Sequence, residues 1–274
     1  KFLAPHFSLL ARRRQAERPG SRTTLDLGIQ EVAEGELRRH LEVFRGDGID
    51  GGAVVVLENG PSAVRALVGS PDFFSVEASG QVNGATAPRS PGSTLKPFTY
   101  ALAFEEGVAT PATVLLDLPY LHPDYTPRNY DREYQGPLPA RQALVQSLNV
   151  PAIRLLQDVG TDRLLSFLQK AGIRSLRESP DHYGLSLTLG GGEVKLLDLT
   201  YAYSVFANLG EMKGLPVQPD KRRPGLRNLD PVSILKVEDA DGRVLEEFKE
   251  PQTERIIPAE YAYLIANILS DNVA

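Results

Sequence analysis

The sequence has 274 residues, of which 42% are hydrophobic, 24 are glycine and 21 are proline. This composition supports a buried core and excludes a disordered or collagen-like chain, because the glycines show no period of three. Thirty basic and 35 acidic side chains give a net charge of −5, without the basic excess that nucleic-acid binding requires, so no nucleic-acid partner is expected. Cysteine is absent, which excludes disulfides, a thiolate metal site and a cysteine nucleophile.

Residues 1–22 are predicted to be a linker from a preceding domain. The arginine triplet at 12–14 and the Arg-Pro-Gly at 18–20 are typical of a solvated, breaker-rich loop. Residues 23–26 indicate an extended segment that leads into a helix, and apolar residues then recur at helical spacing from Leu27 to Val43.

A hairpin is predicted next, from a β-branched run at 52–58, an Asn59-Gly60 turn and a second strand at 62–68. Its first strand is apolar on both faces, which favours a central place in a sheet. Residues 69–92 are rich in Gly, Ser and Pro and are predicted to form a loop.

Helical patterns dominate from residue 93 to 210, with helices expected near 93–106, 139–147, 150–158, 161–171 and 193–208. A long loop rich in Pro, Tyr and Asp interrupts them at 107–138, and such a length is typical of a functional or covering segment. A second hairpin is predicted at 232–237 and 244–248, followed by a helix that begins at 258. Helices and strands do not alternate one by one, so the predicted fold class is α+β rather than doubly wound α/β.

One segment carries residues that suit nucleophilic catalysis. Ser93 and Lys96 lie three residues apart at the start of a predicted helix, which puts both on one side of its first turn. A lysine whose pKa is lowered by burial can take the proton of the serine hydroxyl, and the free N–H groups of a helix N-terminus suit an oxyanion. Ser-x-x-Lys alone is a weak motif: Ser233 and Lys236 match it too, but in a predicted strand, where residues three apart face opposite sides.

A second motif strengthens the first. Ser147, Leu148 and Asn149 fall in the break between two predicted helices, where a loop can present the hydroxyl and the amide to a cleft. The alternative interpretation makes Asn149 an N-cap of the next helix, and the two roles are compatible. Residues 270–272 also spell Ser-x-Asn, but they end the last helical pattern with no Ser-x-x-Lys helix suitably upstream.

Together the Ser-Thr-Leu-Lys at 93–96 and the Ser-Leu-Asn at 147–149 resemble the motifs of the penicilloyl-serine transferases. The resemblance is strongest to the class A penicillin-binding proteins and covers about residues 23–274. It extends to segments at 23–30, 68–74, 81–93, 147–152 and 189–194, and the run at 87–91 is similar to the 1C subfamily. It implies the β-lactamase/transpeptidase-like α+β fold, an antiparallel sheet with flanking helices and an all-helical subdomain.

The sequence departs from this family in one respect, since it contains no Lys-Thr-Gly or Lys-Ser-Gly, and Lys213-Gly214 is not a candidate. In the family that motif lies on a strand after a helix like the one predicted from 258. The chain begins at Lys1 and stops inside a helical pattern at Ala274. We therefore expect a transpeptidase domain at 23–274 that is truncated before this strand, with the C-terminal strands missing.

The resemblance implies a D,D-transpeptidase that needs no metal or other cofactor. Ser93 attacks the penultimate D-Ala carbonyl of a peptidoglycan stem peptide and Lys96 takes its proton. Ser147 relays a proton to the leaving D-Ala, and Asn149 holds Lys96 and the substrate amide. An amine of a neighbouring stem then takes the acyl group, and β-lactams are trapped at the same acyl stage.

By the same resemblance, the full-length protein carries an N-terminal glycosyltransferase domain and a membrane anchor. It works on the periplasmic, extracytoplasmic face of the bacterial inner membrane. Two alternative functions stay open: a D,D-carboxypeptidase or β-lactamase-type hydrolase, and a non-catalytic penicillin-recognising sensor or scaffold of the same fold.

The tyrosines of the long loop could line a peptide groove, although packing over the helical region is the favoured interpretation. They are Tyr120, Tyr125, Tyr130 and Tyr134. The histidines are scattered singly and are interpreted as surface or packing residues rather than metal ligands. They are His6, His40, His122 and His182.

Overall fold

A computed structural model gives the structure of the chain and describes residues 3–15, 20–120 and 127–271. Its helices are α1 (Pro5–Gln15), α2 (Leu27–Phe44), α3 (Lys96–Glu105), α4 (Ala140–Val145), α5 (Asn149–Val159), α6 (Thr161–Lys170), α7 (Pro180–Tyr183), α8 (Leu196–Ala207) and α9 (Ala259–Leu269). Its strands are β1 (Gly20–Thr23), β2 (Val54–Glu58), β3 (Ala63–Val68), β4 (Val114–Asp117), β5 (Gly136–Pro139), β6 (Glu211–Pro216), β7 (Leu229–Asp230), β8 (Ile234–Glu238), β9 (Val244–Glu247) and β10 (Gln252–Arg255). Short 3-10 turns lie at Arg45–Asp47, Gly92–Leu95, Gly184–Leu189 and Pro219–Lys221.

The N-terminal segment is structured, contrary to the prediction of a solvated loop. Phe7 and Ala11 of α1 are buried against β3 and α8, and β1 pairs antiparallel with β8. Phe7 and Ala11 are four residues apart and therefore share one face of the helix, a spacing that the prediction from the arginine triplet did not consider. The side chains of Arg13 and Arg14 and residues 16–19 lie outside the described part. The division of the chain at residue 22 stays a prediction.

The first predicted hairpin is confirmed as β2 and β3, which pair antiparallel with a register shift between Val56 and Leu57. One face of the hairpin packs on α2, and the other packs on α1 and α8. The prediction of a central place in a sheet is wrong within the described ranges, where β2 and β3 form a two-stranded sheet. The first strand is apolar on both faces because helices pack on both faces of the hairpin. Burial of the two faces does not require a neighbouring strand at each edge.

The remaining strands form small antiparallel sheets in the orders β1-β8-β9, β10-β6-β7 and β4-β5. The second predicted hairpin is confirmed as β8 and β9. The pair β4 and β5 occupies part of the predicted loop at 107–138, and β5 extends one residue beyond it to Pro139. Strand β5 reads Gly-Pro-Leu-Pro, a composition without strand propensity. Its buried Leu138 is what fixes it to the core.

The main core lies among the helices that follow residue 92. Helix α3 is buried from Lys96 to Phe104 and packs against α5, α6 and α9, so it forms the axis of this region. The predicted helices are confirmed close to their expected bounds, and the mixture of helices and antiparallel sheets confirms the α+β class. Across the described ranges, no helix combines the length and hydropathy of a membrane span.

Candidate active site

Ser93 lies in the 3-10 turn Gly92–Leu95, which runs directly into α3. Its side chain is exposed. Two contacts hold the turn in place: the Tyr203 hydroxyl donates to the Thr94 carbonyl at 2.7 Å, and the Ser90 hydroxyl donates to the Gly190 carbonyl at 3.0 Å. The serine is therefore presented to solvent on a braced turn at a helix N-terminus.

Gly190 packs directly on this turn. Its φ is +90°, and a Cβ atom at this position would lie 2.4 Å from the Gly92 nitrogen. Only glycine permits both the left-handed backbone and this approach. The loop that precedes α8 thus forms a rigid support behind the serine turn.

Lys96 is the first residue of α3, and its side chain is almost fully buried, with 1% of the residue exposed. Its Nζ donates to Asn149 Oδ1 at 2.7 Å, to Ser147 Oγ at 3.2 Å, and to the Ser147 carbonyl. These hydrogen bonds favour the ammonium, but burial prevails and lowers the pKa of Lys96 to about 8. Lys96 therefore joins the two predicted motifs in space.

Ser147 follows α4 in a left-handed conformation, with φ +55°. Its N–H donates to the Leu144 carbonyl, and the next N–H donates to the Ala143 carbonyl. This is the Schellman arrangement that ends many helices, and its left-handed position is usually held by glycine. A serine here accepts backbone strain and keeps an exposed hydroxyl beside Lys96.

Asn149 is the first residue of α5, and the N-cap position belongs to Leu148, whose side chain makes no capping bond. The interpretation of Asn149 as an N-cap is therefore wrong. The cap is supplied from elsewhere in the chain: Asn129 Oδ1 accepts from the N–H groups of Asn149 and Val150 at 2.9 and 3.4 Å. The Asn149 amide Nδ2 donates to the Arg128 carbonyl at 2.7 Å, which leaves its oxygen to Lys96.

Two buried residues near the site, Asp117 and Asn129, are absent from the predicted set. Asn129 Nδ2 lies 2.9 Å from each carboxylate oxygen of Asp117. The available signal was a carboxylate directly after the apolar residues of β4 in a long loop, a pattern too common to single out from sequence.

Among the described residues, the other matches to the motifs have different surroundings. Lys236 lies in β8 and pairs with Glu238, while Ser233 is buried and its carbonyl accepts from the Thr24 N–H. Asp271 forms an ion pair with Arg141; Asn272 lies outside the described residues. Ser233 directly precedes β8 and Lys236 lies within it; the interpretation of this match as accidental stays a prediction.

The tyrosines of the long loop differ in their burial. The Arg154 guanidinium lies over the Tyr120 ring, 4.6 Å from the ring centroid, and Tyr134 is half-buried. The packing interpretation fits these two residues. Tyr130 is fully exposed, so the packing interpretation is wrong for this residue. Tyr125 and His122 lie outside the described residues.

The other three histidines are packing or surface residues, as predicted. His6 is buried, with Nε2 3.0 Å from the Gly80 carbonyl and 3.1 Å from Ser70 Oγ. His40 is exposed on α2, and His182 contacts Tyr183 edge to face.

Sequence comparisons identify relatives of this chain. A family model described as "Penicillin binding protein transpeptidase domain" matches residues 52–216. Penicillin-binding protein 1C of Escherichia coli K12 is 39% identical over 198 residues, which cover 72% of this chain and 26% of that protein. Penicillin-binding protein 1A of Neisseria meningitidis serogroup A is 35% identical over 233 residues, covering 81% and 26%. The chain spans about a quarter of the length of these curated relatives.

Solved structures share the fold. Penicillin-binding protein 1A from Haemophilus influenzae superposes with a TM-score of 0.65 at 27% identity, covering 82% of this chain and 36% of that one. PonA1 from Mycobacterium tuberculosis in complex with penicillin V superposes with a TM-score of 0.74 at 23% identity, covering 97% and 67%. The family match extends over more than half of the sequence and contains Ser93, Lys96, Ser147 and Asn149. The chain therefore belongs to the penicillin-binding protein transpeptidase family, as the transpeptidase domain of a class A member.

Proposed function

We propose that this domain is a peptidoglycan D,D-transpeptidase that works through an acyl-enzyme on Ser93. The observation that carries the proposal is Lys96, which follows Ser93 by three residues, is buried, and donates hydrogen bonds to Ser147 and Asn149. A buried lysine with its pKa near 8 is available as a neutral base close to physiological pH, as an activated serine requires.

In the acylation step, Ser93 Oγ attacks the carbonyl of the penultimate D-Ala and gives its proton to neutral Lys96. The peptide C–N bond then breaks, and Ser147 relays a proton from the ammonium to the amine of the leaving D-Ala. Its Oγ lies 3.2 Å from Lys96 Nζ, within the reach of direct proton transfer. The N–H of Ser93, at the start of the 3-10 turn, suits the developing oxyanion.

In the second step, an amine of a neighbouring stem peptide attacks the Ser93 ester. A new amide bond forms, the ester bond breaks, and the amine proton returns to Ser93 through the same lysine. A β-lactam enters at the first step and stays as a stable ester. The complex of PonA1 with penicillin V supports this proposal by analogy of fold.

We extend the proposal to the intact protein by resemblance to class A members. It places an N-terminal glycosyltransferase domain and a membrane anchor in that protein, with the transpeptidase domain on the periplasmic face. The much greater length of the relatives supports a larger protein of this kind.

The test is labelling of the intact protein with fluorescent penicillin, followed by mass spectrometry of the labelled peptide. We expect a covalent adduct on Ser93 that the Ser93→Ala variant loses. Ser233→Ala is the matched control, since Ser233 lies in the other Ser-x-x-Lys match and should keep full labelling. Equal labelling of Ser93→Ala and the unchanged protein contradicts the nucleophile assignment.

Stem-peptide turnover separates the remaining functions. Release of D-Ala with cross-linked product that depends on an acceptor amine supports the transpeptidase. Release of D-Ala at the same rate without the acceptor indicates a carboxypeptidase, and rapid loss of the penicillin label indicates a β-lactamase. A protein that forms no adduct is a sensor or scaffold of the same fold.

A further inference from the structure

A buried pair, Asp117 and Asn129, lies directly behind Asn149. Asp117 ends β4 with none of its surface exposed, and Asn129 is 5% exposed. The Asn129 amide nitrogen is 2.9 Å from both carboxylate oxygens and from the Glu133 carbonyl. Three acceptors on one side fix the orientation of this amide, because a reversed amide would bring its oxygen against them.

The fixed orientation has a consequence at α5. With its nitrogen held by Asp117, Asn129 must turn its oxygen toward the helix, where it accepts from the N–H groups of Asn149 and Val150. Helix α5 has no side-chain cap from its own N-cap residue. Asn129 therefore satisfies N–H groups that would otherwise lack a partner at the helix end, and it fixes the backbone position of Asn149.

The same pair sets the direction of the Asn149 side chain. Anchoring Asn129 also holds the preceding peptide unit, whose Arg128 carbonyl accepts from Asn149 Nδ2 at 2.7 Å. The Asn149 oxygen then faces Lys96 Nζ at 2.7 Å. A reversed Asn149 amide would place its NH₂ group against the Lys96 ammonium. Both groups are donors, so the hydrogen bond between the two side chains would be lost.

We propose that Asp117 and Asn129 are positioning residues of the acyl-transfer site, which hold Asn149, and through it Lys96, in the arrangement that acylation requires. This inference rests on the function proposed above and goes beyond the residues of the two motifs. Neither residue contacts the nucleophile; both act through Asn149. A series of hydrogen bonds of 2.7 to 2.9 Å connects Asp117 to Lys96. Since bonds of this length have good geometry, a shift of Asp117 or Asn129 should also move Asn149 and Lys96.

The central experiment compares Asn129→Asp with the reciprocal double variant D117N/N129D in the intact protein. Asn129→Asp keeps the shape of the side chain but places a second carboxylate against that of Asp117. The repulsion should displace residue 129 and the α5 N-terminus, so we expect acylation by fluorescent penicillin to slow about 10- to 100-fold. The double variant restores an amide–carboxylate pair with reversed polarity and keeps an acceptor at the α5 cap. It should recover much of the rate but not all, since the Glu133 carbonyl then faces an oxygen.

The readout separates positioning from stability. The acylation rate constant and the dissociation constant for penicillin are measured separately, per folded molecule, at a temperature where every variant is folded. Asp198→Asn is the matched control because Asp198 is also a buried carboxylate, and it accepts from Arg227 rather than from Asn129. We expect it to lower the melting temperature while the acylation rate constant stays unchanged.

Two results overturn the inference. In the first, the unchanged protein is labelled on Ser93 and Asn129→Asp acylates within about twofold of its rate constant per folded molecule; positioning then fails while the proposed function stands. In the second, the unchanged protein forms no adduct, and the proposed function fails together with the inference. If Asn129→Asp does not fold, Asn129→Ala adds no charge and should show the same loss of acylation rate.

Discussion

At the scale of single residues, the environment of Lys96 decides the acid–base chemistry of the site. Burial costs the ammonium its hydration, and this lowers the pKa of Lys96 to about 8. The neutral amine that can accept a proton is therefore the minor form just below pH 8 and the major form above it. The protonated form donates hydrogen bonds to Asn149 and Ser147, and these bonds hold the Lys96 side chain in the site.

This environment predicts a pH dependence of acylation. The rate should rise about tenfold per pH unit below the pKa and level off above about pH 8, because only neutral Lys96 accepts the Ser93 proton. The measurement is the rate of labelling by fluorescent penicillin across this range. Lys96→Arg should lose labelling at every pH, since a guanidinium does not deprotonate. A flat profile through pH 8 would contradict the role of Lys96 as base.

At the scale of elements, the loop at Gly190 supports the turn that carries Ser93. Gly190→Ala adds a Cβ atom 2.4 Å from the Gly92 nitrogen at a φ of +90°. We expect a loss of about 2 kcal/mol or more in the free energy of unfolding, together with slower penicillin acylation, because the serine turn must shift. Denaturant unfolding and labelling measure the two effects.

Gly107→Ala is the matched control for this variant. Gly107 has a φ of +70°, and a Cβ atom there would meet nothing within 4 Å. It should cost about 1 kcal/mol of unfolding free energy and leave acylation unchanged. Equal acylation in Gly190→Ala and Gly107→Ala would mean that the contact with Gly92 does not support the nucleophile.

The elements also show what sequence patterns can predict. Helix spacing and turn residues located both main hairpins and the core helices. The motif spacing predicted Ser93, Lys96, Ser147 and Asn149 as site residues. Lys96, Ser147 and Asn149 meet in the structure, and the catalytic roles of all four stay proposals. The β4–β5 pair was missed because its stability comes from Leu138 in the core rather than from local propensity. The Asn129 cap was missed because a contact between residues 20 positions apart leaves no periodic signal.

At the scale of the whole molecule, a buried arginine joins the helical region to a sheet. Arg227 is 6% exposed and donates to Asp198 in α8 and to Asp230 in β7, both at 2.7 Å. It also donates to the Gly172 carbonyl after α6. The guanidinium thus links three separate parts of the chain, far from one another in sequence.

Arg227→Met should therefore destabilise the fold by about 3–5 kcal/mol, because it removes the guanidinium that pairs with the buried carboxylate of Asp198. Urea unfolding at neutral pH measures the loss. Arg223→Met is the control, since Arg223 is exposed and donates to the backbone carbonyls of Asp220 and Arg222. Equal loss in the two variants would show that the buried contacts of Arg227 contribute nothing specific.

The left-handed backbone of Ser147 restricts how this position can vary over generations. Threonine would keep a hydroxyl, but its branched Cβ is incompatible with a φ of +55°. Glycine and asparagine suit the backbone but carry no hydroxyl. Under the proposed chemistry, a lineage under selection by β-lactams therefore has no conservative exchange at residue 147. The shape of the chain, as much as the reactivity of the hydroxyl, therefore favours serine at this position.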